Sequence, residues 1–137
     1  MRIVALNINK VFAEKTGPMK GQIEIKSGLD VKQISEEKVG PAKEDHLKFE
    51  FAFTIEFREN IGKIEILCSA LVKDDDNQTK EILKEWKKKQ FNHPIKLPLF
   101  NLIMDKCNLK ALELEDQVNL PFHIPFPKVA PQKKAEE

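Results

Sequence analysis

The sequence predicts an α+β fold: a four-stranded antiparallel sheet, arranged as a meander, with two helices packed on one side. The first observation is the strict alternation of apolar and polar side chains over residues 46–58, the period-two pattern of a strand with one buried face. A second alternating run, residues 64–72, follows the turn-prone residues 59–62, so the two runs are expected to form a hairpin. The third observation is an apolar stripe at helical spacing that begins near Leu97 and Pro98.

A chain of 137 residues suits a single domain, and its 23 basic and 22 acidic side chains leave a net charge of +1. Such a balance creates no overall field that would favour nucleic acid or a membrane surface. The apolar surroundings of Cys68 and Cys107 predict reduced core residues rather than a disulfide. No apolar run approaches the roughly 18 residues of a transmembrane helix, and the N-terminus lacks the pattern of a signal peptide. We therefore expect a soluble, cytoplasmic protein.

Two further strands are expected before the hairpin. Residues 2–14 alternate, and the first face of this strand collects large apolar side chains, namely Val4, Leu6, Ile8 and Phe12. The next strand starts near Gln22, and residues 35–45 are expected to form a charged, solvated loop. Four consecutive strands with no helix between them favour the meander.

After the hairpin the pattern changes to a helical period. A run of aspartates precedes a short helix whose apolar side carries Ile82, Leu83 and Trp86. A second helix is expected to begin at Leu97 and Pro98, because proline suits the first turn of a helix, where its missing N–H is no loss.

Residues 120–127 read Leu-Pro-Phe-His-Ile-Pro-Phe-Pro, and we call them the arm. Their three prolines exclude a helix or an inner strand and stiffen the segment in an extended form. The apolar side chains of the arm either line a groove for a partner or cover the protein's own core, and the sequence leaves both open. Residues 1–127 are expected to form the single domain, followed by a flexible, charged tail at residues 128–137.

No pattern in the chain predicts a catalytic centre, a cofactor or a metal site. The spacing of a calcium loop occurs at four residues: Asp74, Asp76, Gln78 and Glu85. Thr79, however, stands where that loop needs a glycine for its sharp turn. The aspartates instead suit the N-terminus of the short helix, where the helix dipole favours negative charge.

The histidines and the basic helix end have structural explanations as well. His46, His93 and His123 are scattered without metal-ligand spacing and are expected to be structural or on the surface. Trp86 with the lysines at residues 87–89 pairs an aromatic ring with basic charge, as RNA-binding surfaces do. Because this tryptophan shares its side of the helix with apolar residues, the pattern favours packing.

The order of these segments resembles the SecB family of protein-export chaperones, of which the chain would be a divergent member. The resemblance rests on GKIEILC in the hairpin (residues 62–68), NHPIKLP before the second helix (residues 92–98) and VNLPFHIPF after it (residues 118–126). In the family, similar segments open the long helix and follow it.

Membership would imply a SecB-like sheet with helices on one side, a homotetramer built as a dimer of dimers, and an ATP-independent holdase without a cofactor. Such a holdase binds unfolded or precursor polypeptides along apolar grooves. The client-binding residues would be Leu97, Leu99, Phe122, Ile124 and Phe126. Two alternatives stay open: a dedicated chaperone or adaptor for one partner protein, for example of toxin–antitoxin type, and an RNA-binding module at the basic helix end.

Contact with the SecA motor is the family property that the sequence supports least. The family contacts SecA through acidic and apolar positions on the sheet, and Glu14 and Leu67 match that pattern. Lys10 and Ser69 stand at two further positions where the family has acidic residues. SecA docking is therefore not expected to follow the family's pattern.

Overall fold

The computed structural model describes residues 1–19, 21–75 and 77–131. Within these ranges the elements are β1 (Arg2–Lys15), β2 (Ile25–Val39), β3 (Glu44–Phe57), β4 (Gly62–Lys73), α1 (Thr79–Lys87) and α2 (Lys96–Val118). The predicted α+β class, with a four-stranded antiparallel sheet and two helices, is confirmed. Residues 132–137 of the predicted tail, and Asp76 of the calcium-like spacing, lie outside the described residues.

The strands lie in the order β1-β4-β3-β2, and every neighbouring pair is antiparallel. Strands β2, β3 and β4 follow one another as expected, but the predicted four-strand meander is wrong for β1, which pairs with β4 instead of β2. The segment between β1 and β2 runs around the β3–β4 turn. There the Thr16 N–H donates to the Ile61 carbonyl (2.8 Å), and the Arg58 N–H donates to the Glu24 carbonyl (2.9 Å). This path leaves β1 and β2 at opposite edges of the sheet.

The hairpin of β3 and β4 forms the centre of the core, as predicted. The apolar side chains that alternate along β3 are at most 1% exposed, namely Leu47, Phe49, Phe51, Phe53, Ile55 and Phe57. Opposite them on β4 lie smaller apolar side chains, namely Ile64, Ile66, Cys68, Ala70 and Val72. We call this side of the sheet the inner face, because both helices pack on it, and the other side the outer face.

Two β-bulges change the faces that alternation predicts for β1. The register against β4 shifts at Val4 and again at Asn9, where one extra residue is inserted. Val4 is therefore 44% exposed instead of core-facing. Phe12, which was expected on the same face as Val4, lies opposite Glu65 on the outer face. Strict alternation was wrong here because nothing in the residue types marks a bulge.

A third bulge lies at Lys32 in β2, and the strand continues past it to Val39, through the start of the loop predicted at residues 35–45. The bulge turns Ile34 onto the inner face, where this side chain is 2% exposed and lies opposite Phe49. The buried isoleucine keeps the strand paired with β3 through a stretch that its charged neighbours had suggested was a loop.

The predicted loop at residues 35–45 is therefore wrong, and only residues 40–43 form a turn between β2 and β3. The charges in this stretch pair along the two strands. Lys38 forms ion pairs with Glu36 (3.2 Å) and with Asp45 across the hairpin. Opposite charges at facing positions suit a strand pair that extends into solvent.

The first aspartate before α1 lies at the helix N-terminus, as predicted. The Asp74 carboxylate accepts hydrogen bonds from the backbone N–H groups of Gln78 (3.0 Å) and Thr79 (2.8 Å). The first turn of a helix leaves such groups without intrahelical partners. Ile82 is fully buried, and Trp86 packs against the same core, which confirms the packing interpretation of the tryptophan.

Buried residues recur every three or four positions along α2, as the apolar stripe predicted. Its members are Leu99, Ile103, Cys107, Ala111 and Leu114, and the helix packs against β1 and β4. Cys107 Sγ lies 3.7 Å from Cys68 Sγ, within hydrogen-bond distance. This hydrogen bond raises the pKa of the Cys68 thiol, and burial of the thiol raises it further. Both cysteines are free and buried, as predicted.

Candidate functional site

Three aromatic contacts attach the C-terminal half of the chain to successive inner-face positions of β3. They join Phe49 to Phe91, Phe51 to Phe100 and Phe53 to His123, with ring centroids 5.4, 5.4 and 6.3 Å apart. Phe91 belongs to the segment after α1, Phe100 to the start of α2 and His123 to the arm. The arm therefore meets the sheet at a defined position beside the centre of the core.

The start of the arm is fixed at the end of α2. Asn119 ends the helix in the left-handed conformation (φ 60°). The Leu120 N–H then donates to the Glu115 carbonyl (2.9 Å), and the Leu120 side chain is buried. This leucine packs directly over Gly62, where a Cβ atom would come within 2.7 Å of Leu120 Cδ2. A glycine at the start of β4 thus provides the space that the arm occupies.

A buried polar cluster holds the next part of the arm. The side chains of Glu115 and His123 are 0% and 5% exposed. His123 Nδ1 lies 2.9 and 2.7 Å from the two Glu115 carboxylate oxygens, and Nε2 lies 2.8 Å from Asn108 Oδ1. The backbone N–H of His123 also donates to Glu115 Oε1 (3.2 Å). We call Asn108, Glu115 and His123 the anchor.

On either side of the anchor the arm exposes large apolar side chains. Phe122, Ile124 and Phe126 are 44%, 36% and 46% exposed, and we call these three residues the arm strip. The Phe122 and Phe126 rings contact each other edge to face, with centroids 4.9 Å apart. Leu120 and His123 therefore cover the core, whereas the arm strip faces outward, and its role in a groove for a partner stays a prediction.

The two helix residues predicted to bind clients differ in exposure. Leu97 is 70% exposed in the first turn of α2. Leu99 is fully buried among the core residues of the same helix, so it has no surface to offer a partner, and its assignment as a binding residue is corrected. The helical period explains the difference, because two residues along a helix rotate the side chain by roughly 200°.

The chain is similar in structure to the SecB-like chaperone Rv1957 of Mycobacterium tuberculosis, which was solved in complex with a ChAD peptide from the Rv1956 HigA1 antitoxin. The TM-score is 0.62, and the match covers 96% of this chain and 92% of that one. The chain has a SecB-like fold. Only 12% of the aligned residues are identical, so the likeness is one of fold, and at that level it confirms the resemblance seen in the sequence. No family model and no curated protein matches the sequence.

The residues predicted to contact a motor protein share the outer face of the SecB-like sheet. Glu14 lies opposite Lys63, and Leu67 lies opposite Lys10, four residues away along the strand pair. Lys10 forms an ion pair with Glu65 (3.6 Å) on the same face. The acidic side chain and the leucine therefore lie among lysines, and their motor contact stays a prediction.

Further exposed apolar residues lie outside the arm of this SecB-like fold. Leu102 and Leu109 are seven residues apart on α2, so they share one side of the helix, and both are exposed. Val4 and Val11 are exposed on the edge strand β1. Exposed apolar side chains such as these are available for contacts between protein chains.

Neither a metal site nor a membrane-spanning helix is found in the part of the chain that the structure describes. Within residues 1–19, 21–75 and 77–131, no group of three or more histidine, cysteine or acidic side chains is arranged to hold a metal ion. Neither described helix is long and apolar enough to cross a membrane.

The sequence pattern missed the anchor. His123 was expected to be structural or on the surface, and Glu115 was one acidic residue among several at the end of α2. A signal was nevertheless present. Asn108 and Glu115 are seven residues apart, so two polar side chains share one flank of the helix. That spacing alone does not say which histidine lies between them.

Proposed function

We propose that the protein is an ATP-independent holdase that binds unfolded or precursor polypeptides and performs no catalysis. The observation that carries the proposal is the arm strip: three large apolar side chains held partly exposed on one short segment of a SecB-like fold. The similar Mycobacterium tuberculosis chaperone was solved with a peptide bound, which supports polypeptide as the ligand class.

The physical chemistry of the arm suits an extended client. An unfolded chain loses conformational freedom when it binds, and only broad apolar contact offsets that cost. Pro125 and Pro127 restrict the arm before binding, so ordering this surface costs less than ordering a flexible loop. We include Leu97 with the arm strip among the proposed client contacts.

We further propose that the working form is a homo-oligomer, a tetramer built as a dimer of dimers, in the cytoplasm. The exposed apolar residues on β1 and on α2 support self-association, because a lone protomer would leave them in water. A link to protein export, through Glu14 and Leu67 on the outer face, is a weaker part of the proposal, since lysines surround both.

An aggregation assay tests the proposal. A chemically denatured test enzyme is diluted into buffer with equimolar protein, and light scattering is followed with and without ATP. We expect scattering to be suppressed equally in both conditions, because apolar contact needs no nucleotide. Unchanged scattering from a folded oligomer, or suppression that requires ATP, would contradict an ATP-independent holdase.

A dedicated chaperone for one partner is the second candidate, and the bound antitoxin peptide of the similar structure favours it. Such a protein would bind one sequence tightly and generic unfolded chains poorly. Affinities for a panel of unrelated unfolded polypeptides separate the two functions: a holdase binds most of them within about tenfold of each other, a difference of about 1.4 kcal/mol. The RNA-binding alternative is not proposed, because Trp86, its stacking residue, packs against the core.

A further inference from the structure

The anchor contains a buried carboxylate, Glu115, at a position where an apolar side chain could also pack. The Glu115 side chain is fully buried on α2, beside the buried residues Leu114 and Ala111. Burying a carboxylate and an imidazole removes two polar groups from water, and apolar residues of similar volume are often equally stable in their place. The best-attested advantage of such a pair is that it fixes one arrangement of the chain. We therefore ask which part of the chain the anchor holds in one position.

The geometry of the anchor fixes the arm at two points. Asn108 and Glu115 lie two turns apart, a rise of roughly 10.5 Å along α2. The His123 imidazole spans them, with Nδ1 at 2.7 Å from Glu115 Oε2 and Nε2 at 2.8 Å from Asn108 Oδ1. Its ring also lies against Phe53 of the sheet. A ring bound at both nitrogens and in contact with Phe53 cannot rotate without losing these contacts.

The direction of the imidazole determines the direction of its neighbours. The chain bends at residues 123 and 124, and at this bend the imidazole points into the core, with the His123 side chain only 5% exposed. Phe122 and Ile124 are partly exposed, and Phe126 joins them by its contact with the Phe122 ring. Leu120, by contrast, is held by the end of α2 and does not set the direction of residues further along.

We propose that His123 is a positioning residue for polypeptide binding: clasped between Glu115 and Asn108, it keeps the arm on the flank of α2 with the arm strip facing outward as one apolar surface. This inference rests on the proposed function. Without the anchor, the arm strip would turn toward the protein or move freely, and its three side chains would no longer be presented together.

The test replaces the pair without leaving an unpaired buried charge. In Glu115→Leu/His123→Leu the carboxylate and the imidazole are both replaced by apolar groups, while the Asn108 amide and the N–H of residue 123 lose a partner, so the variant should stay folded with a lower unfolding midpoint. Chymotrypsin then reports the position of the arm by the rate of cleavage after Phe122. The affinity for reduced and carboxymethylated lactalbumin, which stays unfolded, reports its function. We expect cleavage at least tenfold faster and binding about tenfold weaker, a change of about 1.4 kcal/mol.

Two further variants control the interpretation. Glu113→Gln removes a carboxylate from an exposed position two residues from Glu115, where it pairs only with Lys110 among the contacts described, and should change neither readout. His123→Gln keeps an amide that donates to Glu115 and should recover part of the affinity, which a purely apolar packing role would not predict.

Each outcome bears on one of the two proposals. If the wild type binds and the double variant is cleaved faster yet binds equally well, the positioning role is wrong and the holdase function stands. If cleavage after Phe122 does not change, the anchor does not hold the arm and the positioning role is wrong. If the wild type itself does not bind the unfolded probe, the proposed function fails, and the positioning role fails with it.

Discussion

Phe53→Ala is expected to lower the free energy of unfolding by about 3–5 kcal/mol, the usual cost of deleting a fully buried phenylalanine. Phe53 is 0% exposed at the centre of β3, between Leu29 on β2 and Ile66 on β4, and it contacts the His123 ring. Its loss would leave a cavity that neither neighbouring strand can close, because both are fixed by their own register. Urea unfolding at one fixed protein concentration measures the change.

Phe12→Ala is the matched control, since it removes the same side chain from the outer face of β1, where it is partly exposed. Because Phe12 is 40% exposed, its loss should cost only about 1–2 kcal/mol. Similar losses of unfolding free energy in the two variants would show that the phenylalanines of β3 are not the centre of the core.

Replacing Phe122, Ile124 and Phe126 together with serine is expected to weaken binding of an unfolded polypeptide by roughly 30- to 300-fold. Fully burying such a side chain contributes about 1.5–3 kcal/mol, and the exposed parts here are 44%, 36% and 46%. Burying those parts on a client therefore contributes on the order of 2–3.5 kcal/mol in all, and about 1.4 kcal/mol is tenfold in affinity. Fluorescence anisotropy of a labelled, permanently unfolded polypeptide measures the loss.

The matched control for the arm strip changes exposed apolar residues outside it. Met19→Ser/Val129→Ser should leave the affinity within about twofold of the wild type, a change of about 0.4 kcal/mol. The triple variant should stay folded in the same oligomeric state, with a lower unfolding midpoint, because the arm strip is more than half buried while Leu120 and His123 still hold the arm in place. A triple variant that dissociates or unfolds would assign the arm strip to the core or to an interface between copies.

Side-chain alternation predicted the faces of β3 and β4 correctly because both strands are paired on both sides and free of bulges. It failed for Val4 and Phe12 on β1, where insertions at Val4 and Asn9 shift the register, and it did not continue β2 past the insertion at Lys32. Strand order was beyond this reasoning altogether. A period of two tells which side of a strand is buried, but the choice of neighbour depends on backbone pairing, which residue types hardly affect.

The candidate site was predicted in part. The prolines and apolar residues of the arm indicated an extended segment, and exposure of the arm strip agrees with a surface role. Leu99 was placed on that surface because the sequence near the start of α2 is apolar on several sides, and only packing shows which side faces the sheet. The anchor was missed because a buried carboxylate is recognised by its partners, and Glu115 and His123 come together only in the fold.

The measurement that tests the account most directly is the affinity of the purified protein, without nucleotide, for one polypeptide in its unfolded and in its native form. We expect a dissociation constant of about 1 μM or below for the unfolded form, equivalent to roughly 8 kcal/mol, and no measurable binding of the native form. A folded oligomer that binds neither form, or both equally, would contradict a holdase and leave the SecB-like fold with a different function.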